Sequence, residues 1–185
     1  MKTSSLLAIS LLLTPLLSSA HNFQPQQRVA PVGVSEEGEL RYTNGAFSYG
    51  NWNSAQLSGK VRVIQHIAGR SAAKAMNAPL IEALKEANLP HDRYQTTTII
   101  NMDDAIVGSG IFVRGSIEDS KKEFPWSQFI VDDNGRVQKA WQLQPKGSAI
   151  IVLDKQGKIQ FAKDGALTPE EVQQVMNMLH QLLAN

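Results

Sequence analysis

The stretch GKVRVIQHIAGRSAAKAMNAPLIEAL, residues 59–84, decides the fold. It reads as a strand, a short loop and a helix. Lys60–Ile67 is apolar and β-branched and lies between Gly59 and Gly69, the pattern of a buried strand. From about Ser71 to Ala87, Met76, Leu80, Leu84 and Ala87 recur every three or four residues, forming one stripe of an amphipathic helix. Pro79 lacks the N–H for an interior helical bond and is expected to kink that helix. At the junction stands Arg70-Ser71-Ala72-Ala73-Lys74, where a helix begins just past the carboxyl end of a strand.

Outward from this unit the pattern continues. Asn22–Gln56 is rich in Gly, Gln, Ser and Asn and reads as strands and turns laid before the main fold. Thr96–Met102 is a second strand ending in Asp103-Asp104, and Ser116–Phe124 is a short polar helix. Two segments, QFIVDDNGRVQKAW (128–141) and AIIVLDKQGKIQFA (149–162), read as hairpins around Asn134-Gly135 and Gln156-Gly157. Thr168-Pro169-Glu170-Glu171 opens a last helix with Thr as cap, Pro at the first position and acids at the positive dipole end. Val172, Val175, Met176, Leu179 and Leu183 form its buried face. Strand–helix–strand, hairpin and terminal helix is the order of a thioredoxin-like α/β domain, with the N-terminal strands as an extension.

Composition narrows the function classes. Residues 1–20 carry Lys2, the apolar run Leu6–Leu17 and Ser18-Ser19-Ala20, the pattern of a secretory signal cleaved before His21. That run is short for a membrane span, which takes about 20 apolar residues, and no Cys follows it to carry a lipid anchor. Residues 21–185 are therefore expected to be one exported domain with no membrane anchor. The chain has 18 Lys+Arg against 17 Asp+Glu. Removing the signal removes Lys2, so the mature domain is neutral. A nucleic-acid binder carries a basic surplus or stripe, and neither is present. With no cysteine in the chain, disulfides, thiol catalysis and Cys-ligated metals are all excluded.

Gly59–Pro79 resembles, without a gap, the active-site segment of exported thioredoxin-like reductases, in which two cysteines flank two residues at the helix start. In that register the cysteine positions are Ser71 and Lys74. VLDKQGKIQFAKDGALTPEEV (152–172) resembles their final hairpin and helix, and the cis-proline of those reductases would fall near Gly147–Ala149, where no proline stands. More closely, WNSAQLSGKVRV, QHIAGR, LPHDRYQTTTIIN and VLDKQGKIQFAKDGAL resemble the YtfJ family of periplasmic proteins. The resemblance implies a thioredoxin-like three-layer sandwich with a central mixed sheet, a periplasmic location, and no catalytic residues to carry over.

The candidate site is the edge where the reductases keep their thiols. Thiol–disulfide exchange needs a thiolate, so Ser71 and Lys74 cannot perform it. Ser-x-x-Lys also occurs in serine acylases, but no supporting motif accompanies SAAK here, and the simpler expectation is that Ser71 caps the helix and Lys74 is solvated. A helix N-terminus with Arg70 and Ser71 suits an anion. Asn101, Asp103, Asp104 and Ser148, the last in the Pro145–Ala149 loop, are expected at the same edge; the plainer alternative to a ligand site there is an Arg–Asp pair that only fixes the loop. For metals, His21 would become the N-terminal residue, a partial copper chelate, while His66, His91 and His180 are scattered; His66 reads as a satisfied core or loop histidine, and the methionines after Met1 as core. GSGIF (108–112) lacks the spacing of a nucleotide loop and reads as a turn or mobile loop. Trp52, Trp126 and Trp141 belong either to the core or to a partner surface.

Two functions follow from these residues. The first is a periplasmic binding or accessory module without thiol–disulfide activity and without a cofactor, taking a periplasmic protein or a small anionic ligand at Arg70, Ser71, Lys74, Asn101, Asp103, Asp104 and Ser148. The second is a non-thiol enzyme or metal-binding protein that uses the Ser71/Lys74 edge.

Overall fold

A computed structural model describes residues 21–184; the expected signal segment, 1–20, lies outside them. Seven strands form one mixed sheet in the order β2-β1-β5-β4-β3-β6-β7. They are β1 (Gly33–Thr43), β2 (Ala46–Asn53), β3 (Val61–Ala68), β4 (Tyr94–Asn101), β5 (Gln128–Asp132), β6 (Ser148–Leu153) and β7 (Ile159–Asp164). The central three run parallel, and the outer pairings are antiparallel. Helices α1 (Ser71–Met76), α2 (Ala78–Glu86), α3 (Gly110–Glu123), α4 (Arg136–Trp141) and α5 (Pro169–Ala184) cover the sheet. The N-terminal extension is the β1–β2 hairpin, added to the β5 edge.

All eight residues of β3 are buried, as a strand packed on both faces requires. One face holds Ile64, Ile99, Ile130 and Ile151 against Phe23, Val29, Trp52, Val137 and Trp141. Arg62 lies among them, donating to the Leu57 carbonyl at 2.8 Å, to Thr97 Oγ1 at 2.8 Å and to Gln128 Oε1 at 3.3 Å. The opposite face is divided. Val61, Val63, Ile150 and Val152 pack under α2 and α5, and Ile67, Ile100, Phe129 and Val131 pack under α3. Val175, Met176, Leu179 and Leu183 of α5 are buried, at about 2 kcal/mol per side chain. Its start is a reciprocal cap: Glu171 N–H donates to Thr168 Oγ1 at 3.2 Å, and Thr168 N–H to Glu171 Oε2 at 2.7 Å.

Three local readings are corrected. Residues 128–141 are a strand, a turn and a helix rather than a hairpin. Asp132 at the end of β5 accepts from the N–H groups of Arg136 and Val137 at 3.0 and 2.8 Å, and Gly135 takes φ +61°, so the carboxylate caps α4 and draws the chain into a helical turn. The helix expected from Ser71 to Ala87 is two helices broken at Asn77, with Pro79 in the first turn of the second, where its missing N–H costs nothing. Asn77 holds the break through its side chain: Nδ2 donates to Ser148 Oγ at 2.9 Å, and Oδ1 accepts from Leu167 N–H at 2.9 Å. The helix expected at Ser116–Phe124 starts at Gly110, so only the front of GSGIF is a turn.

Candidate functional site

The expected site residues fall into three groups. Arg70, Asn101 and Asp104 share one network at the carboxyl edge of β3 and β4. Arg70 Nε and Nη2 donate to the Asp104 backbone carbonyl at 2.9 and 2.7 Å, so the expected Arg–Asp contact is made to the main chain and not to the carboxylate. Asp104 Oδ2 instead accepts from Asn101 Nδ2 (3.3 Å), Gln138 Nε2 (3.0 Å) and Lys146 N–H (2.7 Å). Asp103 stands just outside, 3.4 Å from Lys139 Nζ. These polar groups satisfy one another and lock the edge. Ser148 is buried behind Asn77 and faces the interior.

Ser71 and Lys74 form the third group. The residue capping α1 is Arg70, without a side-chain cap bond, and Ser71 is the first helical residue, which corrects the expectation that Ser71 caps the helix. The Lys74 ammonium donates to Ser116 Oγ on α3 at 3.3 Å rather than to Ser71. A Ser71–Lys74 proton transfer therefore has no geometry here.

Nearby, His66 lies on the sheet face opposite Lys74 and is buried, with Nε2 lacking a partner, so it is not the satisfied core histidine expected from the sequence. Burial pushes its pKa down to about 4, opposed by the Asp104 charge, and the imidazole stays neutral. Among the described residues, no three His, Asp or Glu side chains are grouped to hold a metal ion.

The Lys74–Ser116 contact bridges a groove that the sequence reading missed. It has a volume of about 540 Å³ and runs between α1–α2 and α3 over the exposed part of β4. Its floor is Gln65, Thr96 and Thr98, flanked by Ile67, Ile100 and Phe129. Ile81 and Leu84 wall one side, and Val113, Ile117 and Ser120 wall the other. At the upper mouth Ile106 and Phe112 are 58 and 80 % exposed. At the lower end Trp126 stacks on His91 at 4.3 Å and meets Phe124 edge-on at 5.7 Å. Trp52 and Trp141 are core, and Trp126 is the surface tryptophan.

The groove has a sequence origin. On this face of β3, Val61, Val63 and Ile67 are interrupted by Gln65; on β4, Tyr94 and Ile100 are interrupted by Thr96 and Thr98. Gln65 pairs with Thr98 across the parallel ladder, so the polar residues adjoin. An apolar helix laid over them would strand their hydrogen-bonding groups. The paired interruption was the available signal.

The fold matches solved thioredoxin-like structures. A candidate protein disulfide isomerase from Bacteroides thetaiotaomicron superposes with a TM-score of 0.59 at 17% identity, covering 91% of this chain and 96% of that one. A DsbF homologue from Corynebacterium diphtheriae gives 0.56 at 15% identity, covering 90% and 96%. In sequence, the uncharacterised protein YtfJ of Escherichia coli (strain K12) is 62% identical over 183 residues, 99% of this chain and all of that protein. An uncharacterised protein of Haemophilus influenzae (strain ATCC 51907 / DSM 11121 / KW20 / Rd) is 47% identical over 88% of this chain and 89% of its own length. The model of the bacterial family of unknown function YtfJ_HI0045 matches residues 23–182. With that match spanning nearly all of its described residues, this thioredoxin-like chain without cysteine belongs to the YtfJ_HI0045 family.

Proposed function

We propose that the protein is an exported, periplasmic binding module that replaces thiol chemistry with ligand capture in the β4 groove. The absence of cysteine removes disulfide exchange, because no other side chain in the chain supplies the required nucleophile. What supports binding is the groove itself: its volume falls in the usual range for small-molecule sites, about 300–1,000 Å³. It opens at the edge where thioredoxin-like reductases work, and apolar side chains surround a few polar groups, the composition of a pocket that orients an apolar ligand.

The test is saturable binding of a neutral apolar reporter, N-phenyl-1-naphthylamine, to the purified mature chain. Ser116 is exposed on α3 and lines the groove, so Ser116→Trp fills it without entering the core. The reporter should bind the wild type with about one site per chain and lose at least about tenfold in affinity to the variant. Equal binding to both, or none to the wild type, rejects the reading.

A further inference from the structure

The connection from β4 to α3 concentrates the exposed apolar side chains of the protein. Among the described residues six large hydrophobic side chains are exposed, and four of them, Ile106, Val107, Ile111 and Phe112, fall within seven residues. Val107 is fully exposed and Ile111 is 84 % exposed. Single exposed apolar residues are ordinary, whereas a contiguous patch marks a surface that something covers. The segment also projects: a Cβ added at Gly108 or at Gly110 would meet no atom within 4 Å.

The chemistry of the tip says what covers it. Ser109 is the one polar residue from Ala105 to Val113. Its hydroxyl donates to the Ile106 carbonyl at 2.7 Å, and its N–H donates to the same oxygen at 2.9 Å. The tip therefore offers a partner no free polar side chain. Protein interfaces make about one hydrogen bond per 100–200 Å² and are anchored by Trp, Tyr and Arg. Hydrocarbon asks for no such bonds, and requires the polar groups carried into it to be satisfied within the chain.

Charge around the tip agrees. Arg70 donates to the Asp104 carbonyl, Lys146 N–H to Asp104 Oδ2, and Lys74 Nζ to Ser116 Oγ, one helical turn past Phe112. These bonds tie the start of α1 and the loop before β6 to the β4–α3 segment. Residues 69–81, 105–117 and 142–153 contain Arg70, Lys74, Arg114 and Lys146 and no acid. Arg114 is turned away to Glu37 and Asp133. Of the two acids at this edge, Asp103 is paired with Lys139 at 3.4 Å, and Asp104 Oδ2 accepts three hydrogen bonds. An apolar tip collared by Arg70, Lys74 and Lys146 complements an anionic lipid surface.

We infer that the protein docks peripherally on an anionic phospholipid surface through Ile106, Val107, Ile111 and Phe112, with Arg70, Lys74 and Lys146 at the headgroups. Such insertion is shallow, about 5–10 Å, and among the described residues no helix is long and apolar enough to cross a membrane. Ile106 and Phe112 also line the groove, so docking turns its upper mouth to the lipid. Docking through the tip needs no ligand in the groove.

Co-sedimentation of the purified mature chain with vesicles tests this, using phosphatidylcholine alone and phosphatidylcholine with about one third phosphatidylglycerol. The anionic vesicles should bind the chain at least about tenfold more tightly than the neutral ones, and added salt should erase the difference. Val107→Asp and Ile111→Asp lie outside the groove lining; each should weaken binding to the anionic vesicles by at least about tenfold and leave reporter binding unchanged. Because the chain has no cysteine, a single nitrobenzoxadiazole dye can be attached through Val107→Cys or, in the exposed turn at the opposite end of the sheet, through Gln156→Cys. Anionic vesicles should shift the first dye's emission to the blue and leave the second unchanged. No vesicle binding, equal affinity for the two vesicles, wild-type affinity in both Asp variants or equal shifts at the two dyes overturns the inference. So does a dimer, formed without lipid, that Val107→Asp dissociates. Failure of the reporter to bind the wild type rejects the groove reading alone and leaves the docking tip standing.

Discussion

Replacing His66 with phenylalanine should flatten the loss of stability that the protein suffers in mild acid. His66 sits in β3 between Ile99 of β4 and Ala149 of β6, 2 % exposed, with Nε2 unpartnered. Its folded pKa is about 4, against 6.5 for an unperturbed imidazole. Between those values the unfolded chain takes up a proton that the folded protein refuses. Stability therefore falls as pH drops, by about 1.36 kcal/mol per pH unit. Above 6.5 neither state is protonated and nothing is lost; below 4 both are protonated and the loss is complete. The gap from 6.5 to about 4 at that slope gives about 3 kcal/mol. Urea unfolding followed by tryptophan fluorescence, from about pH 7 to about pH 4, measures it in both proteins. Carboxylates common to the two cancel in the difference, so the variant should gain about 3 kcal/mol on the wild type across the window. A difference that stays constant with pH refutes the assignment of a neutral buried imidazole.

Three further outcomes follow from particular contacts. Arg62→Met takes the guanidinium donor from the Leu57 carbonyl, Thr97 and Gln128, leaving Thr97 Oγ1 and Gln128 Oε1 only their bond to each other, and should cost about 3 kcal/mol, seen as a lower urea midpoint at unchanged m; a wild-type midpoint would show the guanidinium network to be energetically neutral. Thr168→Ala removes the side-chain acceptor at the start of α5 and should cost about 1 kcal/mol in the same assay, with no loss expected if water caps the helix equally well. Gly135→Ala meets both a left-handed backbone, φ +61°, and Asn101 Oδ1 and Asp103 Oδ2 at 3.2 Å from the new Cβ; it should lower stability by about 1–2 kcal/mol, and an unchanged thermal midpoint contradicts the strained turn.

The fold was legible where hydrophobic period and turn chemistry agreed. The apolar run of β3, the β6–β7 pair around Gln156-Gly157 and the Thr168-Pro169 start of α5 all lie where the residues put them. The turn at Asn134-Gly135 misled because the same dipeptide serves a hairpin and a helix entry. What chose the helix was Asp132, whose carboxylate caps α4 from four and five residues away. Ser71 misled for the opposite reason: a hydroxyl at a helix start looks like a cap, yet here the chain enters the helix one residue earlier. At the site, Arg70, Asn101 and Asp104 were foreseen as neighbours, but not that their hydrogen bonds close on one another. The groove required knowing that β3 and β4 pair in a register that sets Gln65 beside Thr98, a long-range fact that no local pattern contains.

That register also explains why the groove stays open. Closing α2 onto α3 would bury Thr96 and Thr98 against apolar side chains, at a cost of about 1–3 kcal/mol for each polar group left unpaired. Leaving it open keeps Ile106 and Phe112 in water, although burying each would contribute about 2 kcal/mol. Neither arrangement satisfies both sets of residues within the chain. A ligand seated in the groove covers its apolar walls and leaves the polar floor its hydrogen-bonding freedom. The same reasoning makes ligand binding and stability move together: N-phenyl-1-naphthylamine should raise the thermal midpoint of the wild type and leave that of Ser116→Trp unchanged. An equal rise in both would place the reporter elsewhere on the molecule.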